Sequence, residues 1–360
     1  MRYILLFLLL IHGIIHFLGF TKAFHIGSSK LTKEISKPVG ILWLLDGISF
    51  CSAALFIVLH QQEWIWVVFA GTIVSELLII GSWKDAKFGT VINLILVIVV
   101  ILNWGSVQFE KSYQKDVQAY LKQTAGVSGD ILTEADLKDL PAIIQQYLHY
   151  TGMVNKPKIK NIRIVFEGEM RSKSKDYFPF VSEQYNFFDS PAARLFFMKG
   201  KMFGITVPGY HKYENAKASM DIRLFGLFSV IKKTGPLMDT TETVTLFNDM
   251  CVFAPATLTD NRIQWKKIND TTIKARFTNE GISISAILYF NRQGQMINFL
   301  STDRTEIGDM QRYPFTTPVS DYKEIHGYLL PTKGETVWQY PDGKFTYGRF
   351  YLKDIEYNCR

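Results

Sequence analysis

Two histidines, His12 and His16, interrupt the apolar run LLLIHGIIHFLGF at residues 8–20. Four residues apart on a helix, they stand one turn from each other on one face and can address the same neighbour. Imidazole can ligate a metal, carry a proton or hold a polar group by hydrogen bonds. Asp46, Glu76 and Asn93 are embedded in three further apolar runs. Ionisable groups in a membrane span are costly, face the bundle interior and pair there. Two readings of this intramembrane polar layer stay open. One is a site that binds a metal ion, passes protons or holds a polar headgroup. The other is a layer that fixes helix register through interhelical hydrogen bonds. The set is incomplete as a metal motif, so no metal is assigned.

The elements that must position these residues are four apolar runs, at about 3–20, 38–59, 64–82 and 88–109. Each approaches the roughly 20 residues that a bilayer crossing requires. The first is read as retained and not as a signal peptide, because no small-x-small cleavage site follows it. The loop 21–37 carries Lys22, Lys30, Lys33 and Lys37, the turn 60–63 carries no Lys or Arg, and the turn 83–87 carries Lys84 and Lys87. The positive-inside rule then puts the first and third loops in the cytoplasm and both termini outside, with Arg2 arguing the other way. Trp64, Trp66, Trp83 and Trp104 fall near span ends, where indole favours the water boundary. Counting inward at about 1.5 Å per residue places all five polar residues in one half of the bilayer, roughly 6 to 13 Å from the same surface.

Beyond this bundle, assigned to residues 1–110, the chain turns polar. A helical linker is expected over 111–157, where LTEADLKDLPAIIQQYLHYTG at 132–152 reads as an amphipathic helix. Thr133 and Asp136 stand in capping spacing, Pro141 opens a further turn, Ile143, Ile144, Tyr147 and Leu148 make the apolar face, and Gly152 stops it. From 158 to 360 the period becomes two. IRIVFEGEM, TIKARF, ISISAILYF, MINFLSTDR, TVWQY and FTYGRFYL alternate apolar and polar residues between turn sequences such as NEG, NRQG and YPDGKF. One stretch, MDTTETVTLFNDMCVFAPATL at 238–258, is helical instead, with Asp239 and Glu242 in capping-box spacing and Pro255 as its stop. Val244, Leu246, Phe247, Met250, Cys251 and Phe253 cover most of it, and Thr241, Thr245, Asn248 and Asp249 form a polar strip. Such a helix needs partners on several sides. It is expected as a lid across a curved antiparallel sheet or unclosed barrel, whose lumen would hold a ligand. A helix that simply plugs an ordinary core is the competing reading.

The chain carries 40 Lys and Arg against 33 Asp and Glu. Residues 1–110 hold seven and six of these, so the excess lies in the second part. There the bases are scattered through alternating strands and form no stripe, which argues against a nucleic-acid partner. Nucleophile elbows, phosphate-binding loops, HExxH, EF-hand loops and dinucleotide fingerprints are absent, no cofactor is named and no nucleophile stands out. The domain therefore reads as a binding module before an enzyme. His149, His211 and His326 are far apart, and Asp303 with Arg304 reads as a surface ion pair. Cys51, Cys251 and Cys359 show no metal spacing; Cys251 and Cys359 could pair if the domain lies outside the cytoplasm.

VTLFNDMCVFAPATL, IQWKKINDTTIKARFTNEGISISAILYFNRQGQMINFLSTDR, PVSDY, PTKGETVW and FTYGRFYLKDIEYN resemble a bacterial membrane protein family classed as a domain of unknown function. HFLGF, SKPVGILWLL and SWKDAKFGTVINLIL are similar to its four-span half, which in turn resembles DoxX-like four-helix membrane proteins. The resemblance brings no activity or catalytic residue. It implies redox or respiratory membrane-protein partners for the bundle, and for the second half a layout similar to the unclosed barrels of lipoprotein carriers.

The expectation is thus a multi-pass protein of the bacterial inner membrane with an extracytoplasmic β-rich domain that binds an apolar or lipid-like ligand. Leu246, Phe247, Met250 and Phe253 of the lid, with Trp265, Ile284, Leu288 and Trp338 of the sheet, would line the cavity. The alternatives are a membrane redox or ion-handling component built on His12, His16, Asp46 and Glu76, and a non-catalytic assembly scaffold.

Overall fold

A computed structural model of the chain describes residues 2–27, 31–124 and 130–360. It divides into two compact units, Met1–Gln108 with Phe225–Leu227, and Phe109–Leu224 with Phe228–Arg360. Lys30, one of the first-loop lysines, lies outside the described residues.

The first unit holds α1 (Arg2–Ala23), α2 (Lys37–Val58), α3 (Trp64–Gly81), the single turn α4 (Trp83–Ala86) and the first part of α5 (Gly89–Thr124). α1, α2, α3 and α5 are each long and apolar enough to cross a membrane. Arg2 at the start of α1 donates to the Ile57 and Val58 carbonyls (2.6 and 3.0 Å), satisfying orphan acceptors at the end of α2. At the other end the Asp85 carboxylate accepts from the N–H groups of Thr32 and Lys33 (2.8 and 3.1 Å) and from the Thr32 hydroxyl. That contact ties the first and third loops together. Glycine sets the helix spacing: a Cβ on Gly47 would lie 2.7 Å from the Gly13 carbonyl, and one on Gly71 would lie 3.3 Å from Asp46 Oδ1. Backbones that approach this closely gain packing that larger residues would prevent.

The fourth apolar run ends near residue 109, but α5 continues to Thr124. Phe109, Tyr113, Val117 and Leu121 recur every four residues and form a buried stripe within the second unit. The expected single helix over 132–152 is two: α6 (Glu134–Leu137) and α7 (Ala142–Tyr150). Thr133 and Asp136 do form the capping box. The break follows from Pro141, which has no N–H to continue the first helix.

The second unit is one antiparallel sheet of thirteen strands: β1 (Asn161–Met170), β2 (Phe178–Phe187), β3 (Ala193–Met202), β4 (Ile205–Glu214), β5 (Lys217–Leu224), β6 (Phe228–Thr234), β7 (Ile263–Asn269), β8 (Thr272–Asn279), β9 (Ile282–Phe290), β10 (Met296–Ser301), β11 (Phe315–Ile325), β12 (Tyr328–Tyr340) and β13 (Gly343–Tyr357). Its order is β6-β5-β4-β3-β2-β1-β13-β12-β11-β10-β9-β8-β7. The first and last strands therefore pair at its centre, and the two edges are consecutive in the chain. α8 (Pro236–Phe253) and a 3-10 turn (Pro255–Thr259) join those edges, and the sheet stays unclosed. α8 begins at Pro236, three residues before the expected cap. The Asp239 carboxylate accepts from the Ala218 N–H and Lys217 Nζ instead of capping the helix (2.7 and 3.1 Å). One face of the sheet packs on α8. The other face of β2, β3 and β4, carrying Phe187, Leu195, Phe197 and Tyr210, packs on the buried stripe of α5. The edges β6 and β7 are mostly exposed and carry Lys232, Lys233, Lys266 and Lys267, charges that discourage pairing with another chain.

Gly47→Val should overpack the α1–α2 contact and lower stability by about 1–3 kcal/mol. Gly81→Val, where a Cβ meets nothing within 4 Å, should change little. Thermal unfolding of the detergent-solubilised full chain measures both.

Candidate functional site

In the first unit the structure brings His12, His16, Asn93 and Glu76 into one hydrogen-bonded network, with Asp46 beside His16. α1 supplies the histidines, α2 Asp46, α3 Glu76 and α5 Asn93. The member that sequence reasoning missed is Ser75 of α3, fully buried at the centre. Its oxygen lies 3.2 Å from His12 Nε2, 3.0 Å from His16 Nε2 and 3.0 Å from Asn93 Nδ2. A lone serine in an apolar helix usually bonds its own backbone, so its type and position gave no signal.

The network assigns its own protons. His16 Nδ1 lies 2.8 Å from the His12 carbonyl, which only accepts, so Nδ1 carries hydrogen. His12 Nε2 lies 2.9 Å from Asn93 Oδ1 and donates to it for the same reason. Asn93 Nδ2 donates to Glu76 Oε2 (2.9 Å), and Thr90 donates to Glu76 Oε1 (2.8 Å). His16 Nε2 is 3.1 Å from Asp46 Oδ2, at ion-pair distance but at an angle that makes no hydrogen bond. Both side chains are buried. With Nδ1 committed to the His12 carbonyl, Nε2 faces both the Ser75 hydroxyl, which can donate to its lone pair, and the Asp46 carboxyl. Trp43 and Phe50 pack on the His16 ring at 4.9 and 5.5 Å. Among the described residues no three His, Cys, Asp or Glu side chains converge in a metal-binding arrangement.

In the second unit Leu246, Phe247, Met250, Ile284 and Leu288 meet in one buried core, with Phe253 and Trp265 packed against it. Phe247 stacks on Phe277 at 5.1 Å, and Phe253 meets Phe166 edge to face at 5.4 Å. Leu246, Phe247, Met250 and Leu288 are 0% exposed, so nothing of water size lies against them. Trp338 is elsewhere, paired across strands with Phe315 and stacked on Tyr347. The helix thus fills the lumen that it was expected to cover.

The polar strip of α8 is buried too. Asp249 Oδ2 accepts from Arg194 Nε, Gln184 Nε2 and Asn186 Nδ2 (2.8, 3.0 and 3.0 Å). Arg194 also donates to Glu242 Oε2 and Gln184 Oε1 (both 3.1 Å), and His211 Nδ1 lies 3.5 Å from Glu242 Oε1. Burial pushes the Glu242 carboxyl up, but the Arg194 charge, then His211, override it and hold the pKa down at about 2. Arg194 and Gln184 were missed from the sequence: Arg194 lies on β3, which is buried almost throughout, and Gln184 on the buried side of β2.

The expected Asp303–Arg304 surface pair does not form. Asp303 accepts the Ser285 N–H at 2.7 Å, and Arg304 lies over the Phe315 ring at 4.0 Å. His149 and His326 are exposed beside Glu134 and Asp354 at 3.4 and 3.9 Å. All three cysteines are free thiols, Cys251 buried on α8. Burial raises the Cys251 thiol well above its ordinary value and the Cys359 thiol to about 11, so neither is a ready thiolate. A surface groove of about 570 Å³ lined by Glu167, Glu169, Lys199 and Lys201 contains none of the residues named from the sequence.

Residues 130–350 match the model of a family of unknown function, DUF6544. The chain belongs to that family. The match runs from α6 into β13, so the DUF6544 unit is the helix-filled sheet. No curated protein matches the chain. Among solved structures, similarity is found to a domain classed as an outer membrane lipoprotein-sorting protein from Vibrio parahaemolyticus (10% identity, 60% of this chain and 90% of that one, TM-score 0.35). Others are the LolA superfamily protein NE2245 from Nitrosomonas europaea (8%, 59% and 93%, 0.37) and LprF from Mycobacterium bovis (12%, 63% and 95%, 0.22). At these scores the likenesses carry no weight for function.

Two outcomes follow from the buried charges. His16→Ala strands the Asp46 carboxyl and should cost about 3–5 kcal/mol, whereas Asp46→Asn, which can still donate to Nε2, should cost clearly less; unfolding of the full chain compares them. For Glu242, the folded pKa of about 2 lies below the ordinary 4.5. Its contribution is complete above that ordinary value and is lost as the pH falls through about 2. Glu242→Gln should therefore flatten the decline of melting temperature across that acid window and lower it at neutral pH.

Proposed function

We propose that the DUF6544 unit is a receptor for an apolar or lipid-like ligand, carried outside the cytoplasm on a bundle embedded in the bacterial inner membrane. The observation that supports this is the relation of α8 to the sheet. A broad apolar sheet face is filled by one helix, and among the described residues the edges β6 and β7 that flank it have no strand on their outer sides. Displacing that single element opens an apolar trough without breaking any strand pairing. The trough is dry and closed in its present state, so binding and helix movement are one event. The lysines of the first and third loops support the cytoplasmic placement of those loops and hence an external domain.

A second reading is favoured by the close approach of the buried His16 and Asp46 side chains. Carboxyl, imidazole, the Ser75 hydroxyl and a second imidazole lie in series, an order suited to proton handling, and among the described residues no metal ligand set converges. Under this reading the bundle does more than anchor.

Native mass spectrometry of the full chain, extracted in mild detergent, tests the receptor. Bound lipid is expected, with faster hydrogen exchange at 236–253 than in the lipid-stripped protein. A chain that never retains lipid, and whose α8 exchange is indifferent to added amphiphile, would sink the proposal.

A further inference from the structure

Seven described arginines are not fully exposed, and six of them donate hydrogen bonds: Arg163, Arg171, Arg194, Arg223, Arg262 and Arg349. Arg304 is the exception. Its Nε is buried without an acceptor, and its contacts are ring faces, Phe315 at 4.0 Å and Trp338 at 5.7 Å. Taking guanidinium N–H groups out of water with no acceptor is costly unless a ligand or ordered water supplies one. The rings hold the cation in place without using its donors.

The surroundings favour an added acceptor. The Arg304 charge does help to hold Glu242 ionised, but no carboxylate bonds its Nε: Glu242 and Asp249 bond Arg194, and Asp303 accepts the Ser285 N–H. Thr305 is 1% exposed and its hydroxyl has no partner, while its N–H donates to Thr241 of α8 at 3.0 Å. The apolar lumen begins one strand-pair step away. Phe315 pairs with Ser301 and Thr317 with Phe299, and Phe299 lies 6.1 Å from Phe247 of α8.

We propose that Arg304, seated on Phe315 and Trp338, binds the anionic head, carboxylate or phosphate, of an apolar-tailed ligand. The fork of a guanidinium matches both acceptors two bonds at a time. This inference rests on the receptor reading above and adds the head to its tail.

The test uses the full chain in phosphatidylcholine nanodiscs, with Trp338 emission isolated by subtracting the Trp338→Phe protein. Hexanoate, hexyl phosphate, hexanol, acetate and inorganic phosphate are titrated. Saturable binding of hexanoate or hexyl phosphate is expected, at least tenfold tighter than hexanol and than either small anion. Arg304→Gln should weaken it at least tenfold at unchanged melting temperature. If that variant melts early, Arg304→Lys, which keeps the charge and loses the fork, should weaken binding and carries the comparison. Hexanol binding as tightly as hexanoate, with no effect of either variant, overturns the head site and leaves the receptor standing. Acetate or phosphate binding as tightly as the hexyl probes overturns the amphiphile in favour of a small-anion site. No response to any probe, in a protein that also retains no lipid, overturns both.

Discussion

Pairing of the first strand of the DUF6544 unit with the last constrains everything else in it. β1 and β13 join along the middle of the sheet, so the strands from 161 to 234 and those from 263 to 357 become two wings of one surface. The wings then end in edges that the chain must connect across the concave side. That connection is α8, and a helix laid there has the sheet around it. Its composition follows from this placement: fourteen of its eighteen residues are buried, which no surface helix would show.

A helix buried nearly all round still carries Asp239, Glu242, Asn248 and Asp249, and the sheet answers its carboxylates, while Asn248 donates to Thr317 and keeps its oxygen unpartnered. Arg194 answers two carboxylates, amides from β2 share Asp249, and the Asp239 carboxylate takes a backbone N–H. The membrane-type bundle solves a similar problem with neutral donors. Ser75 and Asn93 satisfy the histidines, while Gly13, Gly47 and Gly71 let the helices approach closely enough for the network to form. In both units a buried charge is tolerated because several partners converge on it, and removing one strands the rest.

Much of this was legible in the sequence because period reports burial on one face. The four apolar runs, the alternation of Ile284, Ala286, Leu288 and Phe290, and the helical stretch around Phe247 each carry a single dominant pattern. What was hidden lies where two patterns overlap. β2 and β3 are covered on both faces, by α8 and by the stripe of α5, so ARLFFMKGKM shows no clean alternation and Arg194 gives no sign of facing inward. The extension of α5 was obscured because its period-four stripe, Phe109 to Leu121, is set among polar residues and follows an apolar span. The five polar residues of the bundle were found by type and depth. Ser75 was not, because only geometry distinguishes a serine that bonds three neighbours from one that bonds its own helix.

On the receptor reading, the two strips of α8 set how the lumen would open. Leu246, Phe247 and Met250 leave an apolar face behind them when they withdraw, and an apolar chain can replace their contacts at little cost. Asp249 and Glu242 cannot be withdrawn on the same terms, because Arg194 would remain buried without a counter-charge. The Tyr147 and Tyr357 hydroxyls also hold the Cys251 and Phe253 carbonyls at the C-terminal end of the helix, at 2.9 and 2.7 Å. A motion that lifts the whole helix out would break every one of these contacts at once. Rolling about the polar strip would expose the apolar strip alone and keep both the charges and the Thr305–Thr241 contact paired. On the receptor reading, the arrangement of charges therefore favours a roll over an ejection.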